Sequence, residues 1–251
     1  EISCSLVGSE MCIRDRLYEG VAVGKEGSVG LITYMRTDSV RIADVAAADI
    51  RSYIESEFGK EFRPSHANSY SSKKNAQDAH EAIRPTSVHR TPLEMAKHLN
   101  KDQLKLYSLI WNRAVASQMA SAVFDVTTLL IGAGDYQLRA TGSVLKFEGF
   151  LKLSDKKDLL EDKDKTVPYL EAKTPVELYK LLPAEQHFTE PPAHFTEATL
   201  VKELEDKGIG RPSTYSPTIQ TILDRGYIAK EGKKLMITEL GLMIVDMLTN
   251  Y

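Results

Sequence analysis

Apolar residues recur at Ile42, Ala46, Ile50, Ile54 and Phe58, every fourth position, ahead of Gly59. That period puts one stripe on a helix; Ser39 offers a capping oxygen and Gly59 a stop, so a helix from Ser39 to Phe58 is predicted. Arg63 to Lys74 is rich in Ser, Asn and Lys and reads as a loop, and Asn75 to Ile83 suits a short helix ended by Pro85. A second amphipathic helix is predicted from Asn100 and Gln103, which form a capping box, and from the stripe Leu104, Tyr107, Ile110 or Trp111, Ala114 and Gln118. Its Tyr and Trp lie on the apolar face, which favours the core over stacking on a ligand. From Val123 the period changes to that of strands: VFDVTTLLI, a turn at Gly132 to Asp135, then YQLRATGSVLKF, a hairpin or meander. Ser154 to Lys165 is a charge run that reads as a solvated linker. Thr196 caps a helix to Lys207, Gly208 and Gly210 break it, and Ser213 after Pro212 caps another that stops at Gly226. Two short strands around Glu231-Gly232 complete the outline of a winged helix-turn-helix. The last helix, about Glu239 to Leu248, is too apolar for solvent and is expected to pack on a neighbour.

The class is therefore α+β, mostly helical. At 251 residues and 42% hydrophobic the chain can bury a real core. A net charge of −3 excludes a histone-like binder, so any nucleic-acid contact must come from locally placed Arg and Lys. No apolar run approaches the roughly 20 residues of a membrane span, and no secretory signal is evident, so a cytoplasmic protein without membrane partners is expected. Both cysteines, Cys4 and Cys12, lie in the first 16 residues, a stretch read as translated adapter sequence and set aside as foreign. A disulfide between them would need an oxidising compartment that nothing else supports. Without them the cysteine ligands of a zinc ribbon are missing, and no metal ligands are assigned.

Tyr34 precedes Arg36 by two residues and Asp38 by four. A tyrosine hydroxyl titrates near 10, so at neutral pH only about one in a thousand is phenolate, a deficit of about 4 kcal/mol. A neighbouring guanidinium recovers part of that and can fork onto two phosphate oxygens, a pairing suited to a tyrosine that attacks phosphorus. The chain has 11 tyrosines, and on spacing alone Tyr34 after Leu-Ile-Thr reads first as a packed strand residue. The predicted helix start would aim N–H groups at Arg36 to Ser39 and offer a phosphate a seat. His80 between Asp78 and Glu81 is either a phosphate donor or a surface residue, and Arg84 either reaches the same groove or pairs with Glu81. Gly208 to Tyr215, with Arg211, Ser213 and Thr214, suits either a phosphate-binding turn or a capped interhelical turn.

Three strings in one order, LITYMRTDS at Leu31 to Ser39, DAHEAIRP at Asp78 to Pro85 and KELEDKGIGRPSTY at Lys202 to Tyr215, resemble the motifs of bacterial type IA DNA topoisomerases. The resemblance runs from about Leu17 to about Leu248. It implies a helical domain over 17–120 that bears the nucleophile, a β-rich arch segment over 121–147 and a helical, winged-helix-like domain over 148–251. It implies that Tyr34 cleaves one DNA strand and keeps the 5′ phosphate as an ester, that Arg36 and His80 stabilise the phosphate, and that strand passage and resealing follow without ATP. Arg211, Ser213 and Thr214 would contact single-stranded DNA, with Asp38 and Arg84 in the same groove. Supercoiled DNA would be the substrate and a monomer the expected state. In this family Mg²⁺ is bound by a TOPRIM domain ahead of the tyrosine region, and zinc ribbons follow it; neither pattern is seen here, so this polypeptide is expected to bind no Mg²⁺ and to be inactive alone. A rival is a non-catalytic winged-helix DNA-binding module with Tyr34 in its core; reverse gyrase and the decatenating type IA enzyme are rivals within the class.

Overall fold

The computed structural model describes residues 13–35, 37, 39–70, 80–154 and 167–250. Its first helix, α1 (Ile13–Glu19), buries Leu17 completely, and the Leu31 N–H donates to the Leu17 carbonyl at 2.7 Å. The helix runs across the boundary drawn at Arg16: Ile13 to Arg16 are its first turn, and the Gly20 N–H donates to the Arg16 carbonyl at 3.0 Å. Strands β1 (Val21–Ala22) and β2 (Ser28–Val29) form a small antiparallel pair that leads into the Tyr34 segment.

Helix α2 (Asp44–Phe58) begins five residues after Ser39, a correction to the predicted start. The reason is local competition and long-range pairing. The Ser39 N–H donates to Thr37 Oγ1 at 3.0 Å and Ser39 Oγ accepts from the Arg41 N–H at 3.3 Å, a side-chain turn that diverts the backbone. The Arg41 carbonyl then accepts from the Ala82 N–H at 2.8 Å, so these residues serve a neighbouring segment instead of a helix. Ile50 and Ile54 are buried as the four-residue period required, and Gly59 ends the helix at φ +109°.

After α3 (Pro92–Met95), α4 (Lys101–Ser117) carries the centre of the core. Its Asn100–Gln103 capping box forms in both directions, at 2.8 and 3.0 Å. Tyr107 and Trp111 are buried against Leu31, Ile32, Ile54 and Val88 in one cluster. Their polar tips are satisfied: the Tyr107 hydroxyl donates to the Arg90 carbonyl at 2.6 Å and Trp111 Nε1 to the Val88 carbonyl at 2.9 Å. Burial holds the Tyr107 phenol well above its ordinary value, with the Arg90 charge opposing and the Glu94 charge assisting. This tyrosine is structural.

Strands β3 (Val123–Ala133) and β4 (Tyr136–Phe147) form the predicted hairpin, paired from Val123↔Phe147 to Ala133↔Tyr136, with Phe147 packed 4.8 Å from Phe62 at its base. Residues 167–195 run largely without regular structure. The C-terminal unit follows as α5 (Glu197–Asp206), α6 (Tyr215–Asp224), β5 (Ile228–Glu231), β6 (Lys234–Ile237) and α7 (Glu239–Thr249), the helix-turn-helix and wing read from the sequence. On α7, Leu242, Met243, Val245, Met247 and Leu248 are exposed. No helix among the described residues is long and apolar enough to cross a membrane.

Candidate catalytic site

The segment Gly30 to Met35 is held as an extended ledge by its neighbour at 82–86. Ile32 bridges Pro85 in antiparallel sense, the Thr33 N–H donates to the Arg84 carbonyl at 2.9 Å, and the Thr86 N–H returns to the Leu31 carbonyl at 3.0 Å. The Thr33 hydroxyl adds two staples, donating to the Ala82 carbonyl at 2.7 Å and accepting from the Arg84 N–H at 3.0 Å. Leu31, Ile32 and Met35 point into the core, whereas Tyr34 is 37% exposed. The helix predicted for Asn75 to Ile83 is therefore corrected over its described part: His80 to Ile83 are extended, because their backbone groups pair with Thr33 and Arg41. Residues 71–79 lie outside the described residues.

This pairing carries His80 to Tyr34. Their ring centroids are 5.1 Å apart with planes inclined at 47°, and Tyr18 from the end of α1 meets the Tyr34 ring edge-on at 5.5 Å. Gly30 makes that approach possible: a Cβ there would stand 2.5 Å from the Tyr18 carbonyl oxygen. The result is a partly exposed phenol fixed by packing on its ring, with an imidazole beside it able to donate to an anion.

Arg84 is engaged with Glu81, its Nε donating to Oε2 at 2.8 Å, while its Nη1 donates to the Pro85 carbonyl at 3.0 Å. Burial works to raise the Glu81 pKa, but the Arg84 hydrogen bond and charge, the Ala43 N–H and the Arg41 charge together hold it below the ordinary carboxylate range. Arg36 and Asp38, the other two residues of the Tyr34 motif, lie outside the described residues.

Arg211, Ser213 and Thr214 belong to the separate turn between α5 and α6. Gly208 and Gly210 adopt φ +69° and +80°, and the Thr214 hydroxyl accepts from the Arg211 N–H at 2.9 Å and donates back to its carbonyl at 3.1 Å. The predicted Ser213 cap is corrected to Thr214, whose hydroxyl closes the turn behind it instead of capping the helix ahead. Arg211, Ser213 and Thr214 are exposed. Sequence reasoning missed three residues that build the site. Tyr18 and Thr33 gave no signal because their partners are remote in the chain; Glu81 was weighed only against Arg84, and its bond from the Ala43 N–H at 3.4 Å was not foreseen.

Among the described residues no three His, Cys, Asp or Glu side chains converge as a metal site would require.

A family model described as DNA topoisomerase matches residues 8–251. The structure of full-length topoisomerase I from Thermotoga maritima superposes with a TM-score of 0.72 at 37% identity, covering 95% of this chain and 38% of that one. The chain thus spans well under half the length of that relative. Matched over nearly its whole length by the family model, the chain belongs to the bacterial type IA DNA topoisomerases.

Proposed function

We propose that Tyr34 is the nucleophile of a transesterification that opens one strand of DNA. The phenol oxygen attacks phosphorus, the phosphorus–O3′ bond breaks, the 3′ oxygen leaves with a proton, and the 5′ phosphate stays on Tyr34 as an ester. The strand passes and the reaction runs backwards to reseal it; the bond energy is conserved in the phosphotyrosine, so no ATP is required. His80 donates to the phosphate as charge builds on it, and Arg36 supplies the fork that orients it. Arg84, held by Glu81, positions the His80 segment beside the DNA. Arg211, Ser213 and Thr214 contact the backbone of single-stranded DNA without reading its sequence.

The observation that carries this reading is the packing of an exposed Tyr34 ring 5.1 Å from His80, a residue 46 positions away, on a ledge stapled in place by Thr33. A core tyrosine in a binding-only module would be buried. In the reading proposed, Mg²⁺ belongs to a TOPRIM domain of the longer proteins and assists in balancing phosphate charge, and the protein relaxes negatively supercoiled DNA as a monomer. Arg36 and His80 can offset charge on the phosphate, but neither readily takes the phenol proton from Tyr34 and also delivers one to the departing 3′ oxygen. The 251-residue polypeptide alone is therefore expected not to relax DNA, whereas the same residues joined to a TOPRIM domain should do so with Mg²⁺. The test is a relaxation assay on that joined protein. Activity that requires the Tyr34 hydroxyl supports the reading; undiminished relaxation by Y34F refutes it.

A further inference from the structure

Beside the ledge lies a groove of about 480 Å³, within the size range of small-ligand sites, lined among others by Tyr70, Phe150, Ile83, Ala82 and Arg113. Two aromatic rings and an isoleucine stand open in it: Tyr70 is 44%, Phe150 39% and Ile83 39% exposed. Among the described residues Arg113 is the one charged residue that lines it, and it makes no ion pair with any of them. The walls are preformed. The Tyr70 hydroxyl donates to the Ser117 carbonyl at 2.8 Å, Asn68 Nδ2 donates to the same carbonyl at 2.8 Å, and buried Gln118 returns Nε2 to the Asn68 carbonyl at 3.0 Å. On the other side, the Phe150 N–H donates to the Ala120 carbonyl at 2.9 Å.

The groove shares Ala82 with the ledge that carries the candidate site. Ala82, which lines it, accepts the Thr33 hydroxyl next to Tyr34 and lies two residues from His80. An apolar recess with open aromatic faces and a guanidinium that has no carboxylate partner among the described residues matches a nucleotide, which offers a flat π-face and one negative charge. An apolar peptide would leave Arg113 without an anion, and a free phosphate would leave the rings unused.

We propose that this groove is a nucleotide subsite for the strand that Tyr34 cleaves, with a base against Tyr70 or Phe150 and the adjoining phosphate at Arg113. The proposal rests on the reading of Tyr34 given above. It places one unpaired nucleotide a short distance along the strand from the scissile phosphate, so the protein would hold the strand by a stacked base as well as by phosphates.

The experiment is fluorescence anisotropy of the full 251-residue chain with a labelled single-stranded oligonucleotide, and with a set in which one base at a time is replaced by an abasic residue. For F150L the expected result is affinity weakened about fivefold or more, the scale of one lost stack. For R113Q both affinity and salt dependence should fall, the slope by about 0.7 for one single-strand phosphate contact. One abasic position should weaken the parent as F150L does and leave F150L unaffected. Arg113 is exposed, so R113Q preserves the fold and carries the test if F150L does not fold. If the parent binds the oligonucleotide and both folded variants bind it with the same affinity and salt slope, the subsite is overturned while the Tyr34 reading stands. If an abasic scan shows no sensitive position, the stacking is overturned. If the parent binds no single strand at all, both fail.

Discussion

Replacing Thr33 by valine keeps the volume and the β-branch of the side chain but removes the hydroxyl that staples the ledge. Two backbone partners lose it: the Ala82 carbonyl, which accepts at 2.7 Å, and the Arg84 N–H, which donates at 3.0 Å. A group left unsatisfied away from water costs about 1–3 kcal/mol, and Thr33 is half-buried, so about 1 kcal/mol for each partner is the appropriate end of that range. The sum, about 2 kcal/mol, corresponds to a fall in melting temperature of about 4–8 °C for a cooperative unit of this size. Thermal unfolding followed by circular dichroism measures it, with Thr33→Ser as the companion that keeps the oxygen. Thr33→Val should melt lower than Thr33→Ser, and in the TOPRIM-joined protein it should also cleave DNA more slowly, because the strand that carries His80 to Tyr34 is slackened. A Thr33→Val protein that melts with the parent, or a Thr33→Ser protein that melts below Thr33→Val, refutes the role given to this hydroxyl.

Glu81 has a depressed folded pKa, so its contribution is present above the ordinary value near 4.5 and is lost as pH falls through the lower folded value. The stability difference between the parent and Glu81→Gln, measured by urea unfolding, should therefore shrink below pH about 4.5; a difference that grows with acid contradicts the pairing with Arg84. Deletion through Arg16 removes the first turn of α1 and the acceptor of the Gly20 N–H, so it should lower the melting temperature, where a purely foreign segment would leave it unchanged. Arg211→Ala should weaken single-stranded DNA binding and flatten its salt dependence, by about 0.7 in slope if one phosphate contact is lost; an unchanged slope removes Arg211 from the interface.

Local signals carried much of this fold. The Asn100–Gln103 box, the Val123 to Phe147 hairpin and the wing after Gly226 are short-range features whose residue chemistry suffices to form them. What the sequence concealed was non-local. Ser39 is a good N-cap by type, but its hydroxyl is spent in a turn with Arg41, and residues 39–43 answer to the strand at 81–82, so the helix starts at Asp44. His80 to Ile83 have helical composition, yet their pairing with Thr33 overrides it. The motifs marked Tyr34 and His80 as candidates; their approach, and the Tyr18 ring on the other side, depend on a ledge that no spacing reveals.

The central claim is that Tyr34 bonds to phosphorus, and the direct measurement is to trap that bond. The TOPRIM-joined protein is incubated with Mg²⁺ and a single-stranded oligonucleotide, denatured and digested, and the peptide bearing the nucleotide is identified by mass spectrometry. The account predicts a 5′-phosphate ester on Tyr34, absent in Tyr34→Phe although that protein still folds and binds DNA, since phenylalanine removes only the reacting oxygen. An adduct on another tyrosine such as Tyr215, or one that persists in Tyr34→Phe, would contradict it.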